Sequence, residues 1–186
     1  MVRPFNATVL AIFLSTALFA TDIFAEKADR DKPLIINADT VKLDDVEQKY
    51  NLIGDILLTK GSMLATGDDG LIVVDPQGYE NMNLKAAPRN FATLRTRREG
   101  LLNEYMQGIG KNVLYDGKKE QVIFIGDAKM KRLLNMQMLD ELQGAKIEYE
   151  DIKESYKVSS PLANRQNLFP QSKAILAPRS KAPMSQ

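Results

Sequence analysis

The sequence predicts an all-β protein, and three observations carry that reading. Apolar and polar residues alternate over most of 32–158, turn-forming residues interrupt the alternation at short intervals, and part of the pattern recurs further along the chain. Val41-Lys42-Leu43, Tyr50-Asn51-Leu52 and Val122-Ile123-Phe124 read as strands, bounded by Gly, Asn and Asp. Side chains two apart share a face of a strand. Tyr50, Leu52, Ile56 and Leu58 therefore point one way, as do Val122, Phe124, Ala128 and Met130.

The turn signals are Asp44-Asp45, Lys60-Gly61, Pro76-Gln77-Gly78 and Asp116-Gly117, the last a favoured two-residue hairpin turn. Their spacing predicts many short antiparallel strands. Within it, Val41-Lys42-Leu43-Asp44 and Leu52-Ile53-Gly54-Asp55 are echoed by Val113-Leu114-Tyr115-Asp116 and Phe124-Ile125-Gly126-Asp127 at a constant offset of 72 residues. The echo runs on through Leu58 and Met130. Gly67 then finds its counterpart at Gly144, so the second copy holds about five extra residues in between. In that insertion Leu134, Met136 and Met138 fit a period of two, whereas Leu133, Met136, Leu139 and Leu142 fit a helical stripe; the expectation is a strand followed by a loop.

Composition narrows the function classes. A net charge of +1, from 25 basic and 24 acidic residues, is not the field of a nucleic-acid binder, so no nucleic-acid partner is expected. Cysteine and histidine are both absent, which removes thiolate nucleophiles, disulfides, thiol or imidazole metal sites and histidine-based general bases. No cofactor or metal is expected, although oxygen-ligated magnesium or calcium stays chemically possible.

The ends read differently from the middle. Residues 1–25 have the parts of a secretory signal: Arg3, an apolar stretch from Ala7 to Ala20, and small residues before a polar boundary. Cleavage is expected after Ala25, with Ala20 as second choice, leaving a domain over 26–158 in the periplasm; an uncleaved membrane anchor is the alternative. Residues 159–186 form a basic, proline-containing tail with Arg165, Lys173, Arg179 and Lys181 and no acidic residue. Ala174 to Ala177 offer a possible closing strand.

The order and spacing of Lys32-Pro33-Leu34-Ile35-Ile36-Asn37-Ala38-Asp39, of the paired segments Leu52-Ile53-Gly54-Asp55-Ile56 and Phe124-Ile125-Gly126-Asp127-Ala128, and of Gly144-Ala145-Lys146-Ile147-Glu148-Tyr149 resemble the LptA, or OstA-like, family of periplasmic lipopolysaccharide-transport proteins. The resemblance covers nearly the whole mature chain. It implies a twisted antiparallel β-jelly-roll with two related halves, open along a hydrophobic groove and stacking head to tail with itself and with like-shaped domains. The departures are the longer segment 133–143, a less regular stretch from Ala86 to Gly100, and the uncertain last strand.

The function this implies is a lipopolysaccharide-binding bridge that shields lipid A acyl chains, each CH₂ of which costs about 0.8 kcal/mol in water. The expected lining is Leu34, Ile36, Leu52, Ile56, Phe91, Val113, Tyr115 and Phe124. Of these, Leu34, Ile36, Phe91 and Tyr115 match lipid-facing family positions. The bland alternative is that the same side chains pack together as a closed core, and composition alone does not separate core from groove. Arg95, Arg97 and Arg98 could meet lipid A phosphates, against the alternative of a solvated hairpin tip.

The expected partners are lipopolysaccharide, an LptC-like inner-membrane component at the N-terminal edge (33–38), and an LptD-like outer-membrane component at the C-terminal edge (145–158 with 174–177). Two other readings stay in view. One is a membrane-anchored LptC-like component; the other is a carboxylate-dependent glycan enzyme using Asp44, Asp68 or Asp116. Against the latter, these aspartates stand in turn contexts, where the side chain bonds its own backbone.

Overall fold

The computed structural model describes residues 29, 31–98, 103–160 and 172–178. The signal segment 1–25 and most of the basic tail lie outside the described residues. The strands are β1 (Ile35–Asn37), β2 (Thr40–Asp44), β3 (Lys49–Lys60), β4 (Met63–Val74), β5 (Glu80–Lys85), β6 (Ala92–Arg97), β7 (Glu104–Gly110), β8 (Asn112–Asp116), β9 (Gln121–Leu134), β10 (Gln137–Glu150), β11 (Ser155–Ser159) and β12 (Lys173–Ile175). Among the described residues no helix is long and apolar enough to cross a membrane.

All pairings are antiparallel, and together they form one 12-stranded network with two paths through it. The first path runs β2-β3-β4-β5-β8-β9-β10-β11 and the second β1-β3-β4-β6-β7-β9-β10-β12. The long strands β3, β4, β9 and β10 belong to both. Their first-layer portions, such as Lys49–Ile53 against Asp69–Val73, give way to second-layer portions, such as Ile56–Lys60 against Met63–Gly67. The six strands β4, β5, β8, β9, β7 and β6 close a ring. Two layers of one jelly-roll result.

The layer change has a sequence cause. Between Ile53 and Ile56 the register slips, so Gly54 and Asp55 together oppose Asp68; between Ile125 and Ala128 the same slip sets Gly126 and Asp127 against Ala145. Gly54 and Gly126 take φ of 75° and 78°, and Asp55 and Asp127 follow at 38° and 49°. This left-handed backbone suits glycine, and aspartate tolerates it better than most residues. A Cβ on Gly54 would sit 2.0 Å from the Asp39 carboxylate. The two Gly-Asp pairs noticed in the sequence are thus matching β-bulges, each bending a long strand.

The repeat extends to every strand. β1 and β2 pair with β3 as β7 and β8 pair with β9. β5 and β6 pair with β4 as β11 and β12 pair with β10. The molecule is one six-strand unit used twice, joined in the middle by β5·β8 and β6·β7.

Two local expectations are corrected. The stretch from Leu133 to Leu142 is not strand then loop: β9 continues to Leu134, Asn135 and Met136 turn with φ of 48° and 67°, and β10 returns. The extra residues lengthen a hairpin arm, with a bulge between Met138 and Asp140. Asp116-Gly117 is not a two-residue turn either. Residues 117–120 make the turn, because the Asp116 carboxylate accepts from the amides of Lys118 and Lys119 and so wraps a longer one. Asp44 holds Val46 and Glu47 in the same way at the equivalent place. In the less regular stretch, β6 forms over Ala92–Arg97, and the strand of the tail lies at Lys173–Ile175.

Candidate functional site: a filled interior and two unpaired ends

The inward faces of both layers pack into one cluster. Leu52, Ile56, Val113 and Phe124 are buried in it, and Leu34, Ile36 and Tyr115 pack against it partly buried. Seven of the eight side chains expected to line a groove therefore meet in one interior, alongside Leu58, Ile72 and Tyr149. Phe124 is seated over Gly108, where a Cβ would fall 2.2 Å from its Cζ. At the equivalent places of the first repeat stand the smaller Leu52 and the larger Ile36, a swap of bulk that keeps the interior filled.

Phe91 is the exception. It precedes β6 with the opposite facing to the buried Ala92, and Lys111 Nζ lies 4.2 Å from its ring centroid. With Asp55, Ile56, Thr66, Gly67, Asp68 and Asn90 it lines a largely polar hollow of about 390 Å³ at the first bulge. Asp68 there is committed to the Ala87 amide and the Asn90 side chain. Asp44 and Asp116 shape their own turns as expected, whereas Asp68 lies within β4, not in a turn, and anchors the remote segment at Ala87 and Asn90. For Asp116, burial works against the charge, but hydrogen bonds from Lys119 and the turn amides outweigh it and hold the carboxyl below its ordinary range.

The arginine cluster does not form one patch, which corrects the phosphate-contact expectation for Arg98. Arg97 faces solvent and Arg95 lies over the Tyr105 ring, its guanidinium carbon 4.3 Å from the centroid. Arg98 turns inward, is buried, and pairs with Glu104 and with Glu154 at 3.0 Å. Burial opposes its charge, yet the Glu104 carboxylate and the neighbouring Tyr156 and Tyr149 more than compensate. An arginine at a hairpin end looks solvated in sequence; only the fold supplies its buried partner.

The ends of the network carry what the sequence could only suggest. Among the described residues β1, β2, β11 and β12 each pair with a single neighbour, so each presents a backbone edge unpaired by any of them. β10, part of the predicted C-terminal edge, is covered by β11 and β12. The edge strands also leave apolar side chains in water. Val41 is 45% exposed where its repeat equivalent Val113 is 1%, and Tyr156 is 38% where Met82 is 4%. Leu43, Ile35 and Ile175 are exposed too. The periodicity that located the strands is blind to this, because it does not say which strand finds a neighbour.

The class the fold defines is an all-β jelly-roll built of two repeats, with apolar side chains exposed on its edge strands. Residues 35–155 match the model of the family described as "LptA/(LptD N-terminal domain) LPS transport protein", and the chain belongs to that family. It is 26% identical over 149 residues to the lipopolysaccharide export system protein LptH of Pseudomonas aeruginosa, covering 80% of each. The crystal structure of LptH, titled the LptA-homologous periplasmic component of the lipopolysaccharide transport device of that organism, has a similar fold. The TM-score is 0.66 at 20% identity, over 81% of this chain and 99% of that one.

Proposed function

We propose that this protein is a periplasmic bridge component that carries lipopolysaccharide, sheltering lipid A acyl chains among Leu34, Ile36, Leu52, Ile56, Val113, Tyr115 and Phe124, and that docks like-shaped domains at both ends. One observation carries the docking: the joint between the two repeats is a template for a joint between two molecules. Inside, β5·β8 sets Leu84 against Val113 and Met82 against Tyr115, while β6·β7 sets Leu94 against Gly108 and Arg95 against Gln107. Carried through the repeat to the free ends, the same register sets Val158 against Val41, Tyr156 against Leu43, Ala174 against Ile36 and Ile175 against Ile35 of the next domain. These four pairs are apolar, while the place between the first two sets Lys157 against Lys42. Adding strands also satisfies amide and carbonyl groups that the edges leave unpaired.

The family itself spans LptA proteins and the N-terminal domain of LptD, which supports a common docking shape. On this reading an LptC-like membrane component meets β1 and β2, an LptD-like outer-membrane component meets β11 and β12, and further copies can stack between. Because the interior is filled, the layers part to admit guest chains. The test is photo-crosslinking of the mature protein. A photoreactive residue at Leu43 or Tyr156 should trap copy-to-copy adducts, and one at Phe124 should trap purified lipopolysaccharide. Adducts from neither edge would remove the docking; no lipid at Phe124 would remove the carrier role.

A further inference from the structure

We infer that guest chains enter through the mouth between the far ends of the two layers, and that two ion-pair clasps in equivalent positions, Lys60–Glu80 and Arg98–Glu154, hold that mouth shut. The inference rests on the carrier reading above. The layers are continuous where β3 and β9 bend at Gly54-Asp55 and Gly126-Asp127, so they can part only at the ends remote from the bends.

Those ends are where the clasps lie. Lys60 closes β3 in the second layer and Glu80 opens β5 in the first; Nζ and Oε1 are 2.5 Å apart with the side chains 12% and 15% exposed. Glu154, immediately before β11, is the repeat equivalent of Glu80, because Asn81 and Ser155 occupy matching places beside Val73 and Glu150. It receives Nη2 of Arg98, which follows β6 in the second layer.

The two cations come from different strands. Arg132, the counterpart of Lys60, is turned aside to Asp140 and Glu104. A cross-layer pair at the same place from unrelated donors points to a requirement of the position. Behind the clasps stand tyrosines of the first layer: Tyr115, whose hydroxyl feels Glu80, and Tyr149, which bonds Asp151 and lies near Arg98.

At the Arg98 clasp the geometry also makes opening inexpensive. Glu154 is mostly exposed, and Arg98 keeps Glu104 when Glu154 leaves, so no charge is stranded in the interior. Lys60, once released, stands at the mouth where the phosphates of an entering glycolipid would arrive, and a phosphate can take the place of Glu80.

The absence of cysteine makes a clean test possible. Lys60→Cys/Glu80→Cys, bridged by a short bis-maleimide whose spacer contains a reducible disulfide, is given purified lipopolysaccharide, and capture is read by a photoreactive residue at Phe124. The bridged protein should capture at least about fivefold more slowly than the same protein after reduction of the spacer. Glu154→Gln, at an exposed side chain that folding tolerates, should capture faster than the unsubstituted chain. Equal rates before and after reduction, or an unchanged rate in Glu154→Gln, overturn the clasps while leaving the carrier reading in place. No capture by any form, the unsubstituted chain included, overturns both.

Discussion

Val113 and Val41 hold equivalent places in the two repeats, yet one is sealed and the other lies in water. The difference is in what stands beside them. β8 has β5 as well as β9 beside it, and among the described residues β2 has only β3, although both strands have nearly the same alternation. The interior joint therefore shows what the ends are built to do. It holds Leu84 against Val113 and Met82 against Tyr115, and the same register applied to the ends sets Val158 against Val41 and Tyr156 against Leu43.

Substitutions at equivalent positions can break this comparison. The largest effect is expected in the interior. Phe124→Ala empties a site that Gly108 is shaped to fit and should lower unfolding free energy by about 3–5 kcal/mol in urea titrations. A loss under about 1 kcal/mol would mean that the second repeat collapses around the gap and is not tightly packed.

Next come the paired valines. Val113→Asp should unfold the protein, because it buries an unpaired charge. Val41→Asp should leave monomer stability within about 0.5 kcal/mol while weakening self-association at least about tenfold by sedimentation. If Val41→Asp associates as well as the unsubstituted chain, the end is not a copy of the joint.

The smallest effect concerns Tyr115, whose phenol is pushed up to about 12 by burial first and by Glu80, Asp151, Asp116 and Asp29 after it. The folded state thus favours the neutral phenol. Its contribution is complete below the unfolded value of about 10 and disappears as pH rises from there through about 12. Between about pH 9 and 11, Tyr115→Phe should lose less thermal stability than the unsubstituted protein. Equal losses would place the alkaline transition elsewhere, with Tyr149 and Tyr156 the next to test, since burial raises both.

Much of the fold is legible in the sequence. Alternation located the strands, and the Gly-Asp echoes marked the two bends, because a bulge with positive φ demands residue types that tolerate it. The hairpin over Leu133–Leu142 was not legible, since its methionines and leucines satisfy two periods at once and only pairing with β7 and β12 decides between them. Of the candidate site, seven apolar members meet in one packed interior. Phe91 and Arg98 were misplaced for opposite reasons: an aromatic beside a bend was turned outward under Lys111, and an arginine beside a hairpin tip was drawn inward by Glu104.

By itself the sequence determined the class of fold, its duplication and the apolar faces of its strands, because these follow from a two-residue period and from local backbone preference. Only the tertiary structure decided which of those faces are sealed, which edges stay open and which charges bridge the two layers. Such facts depend on neighbours contributed by remote parts of the chain, and a residue carries no local mark of the neighbour it will meet.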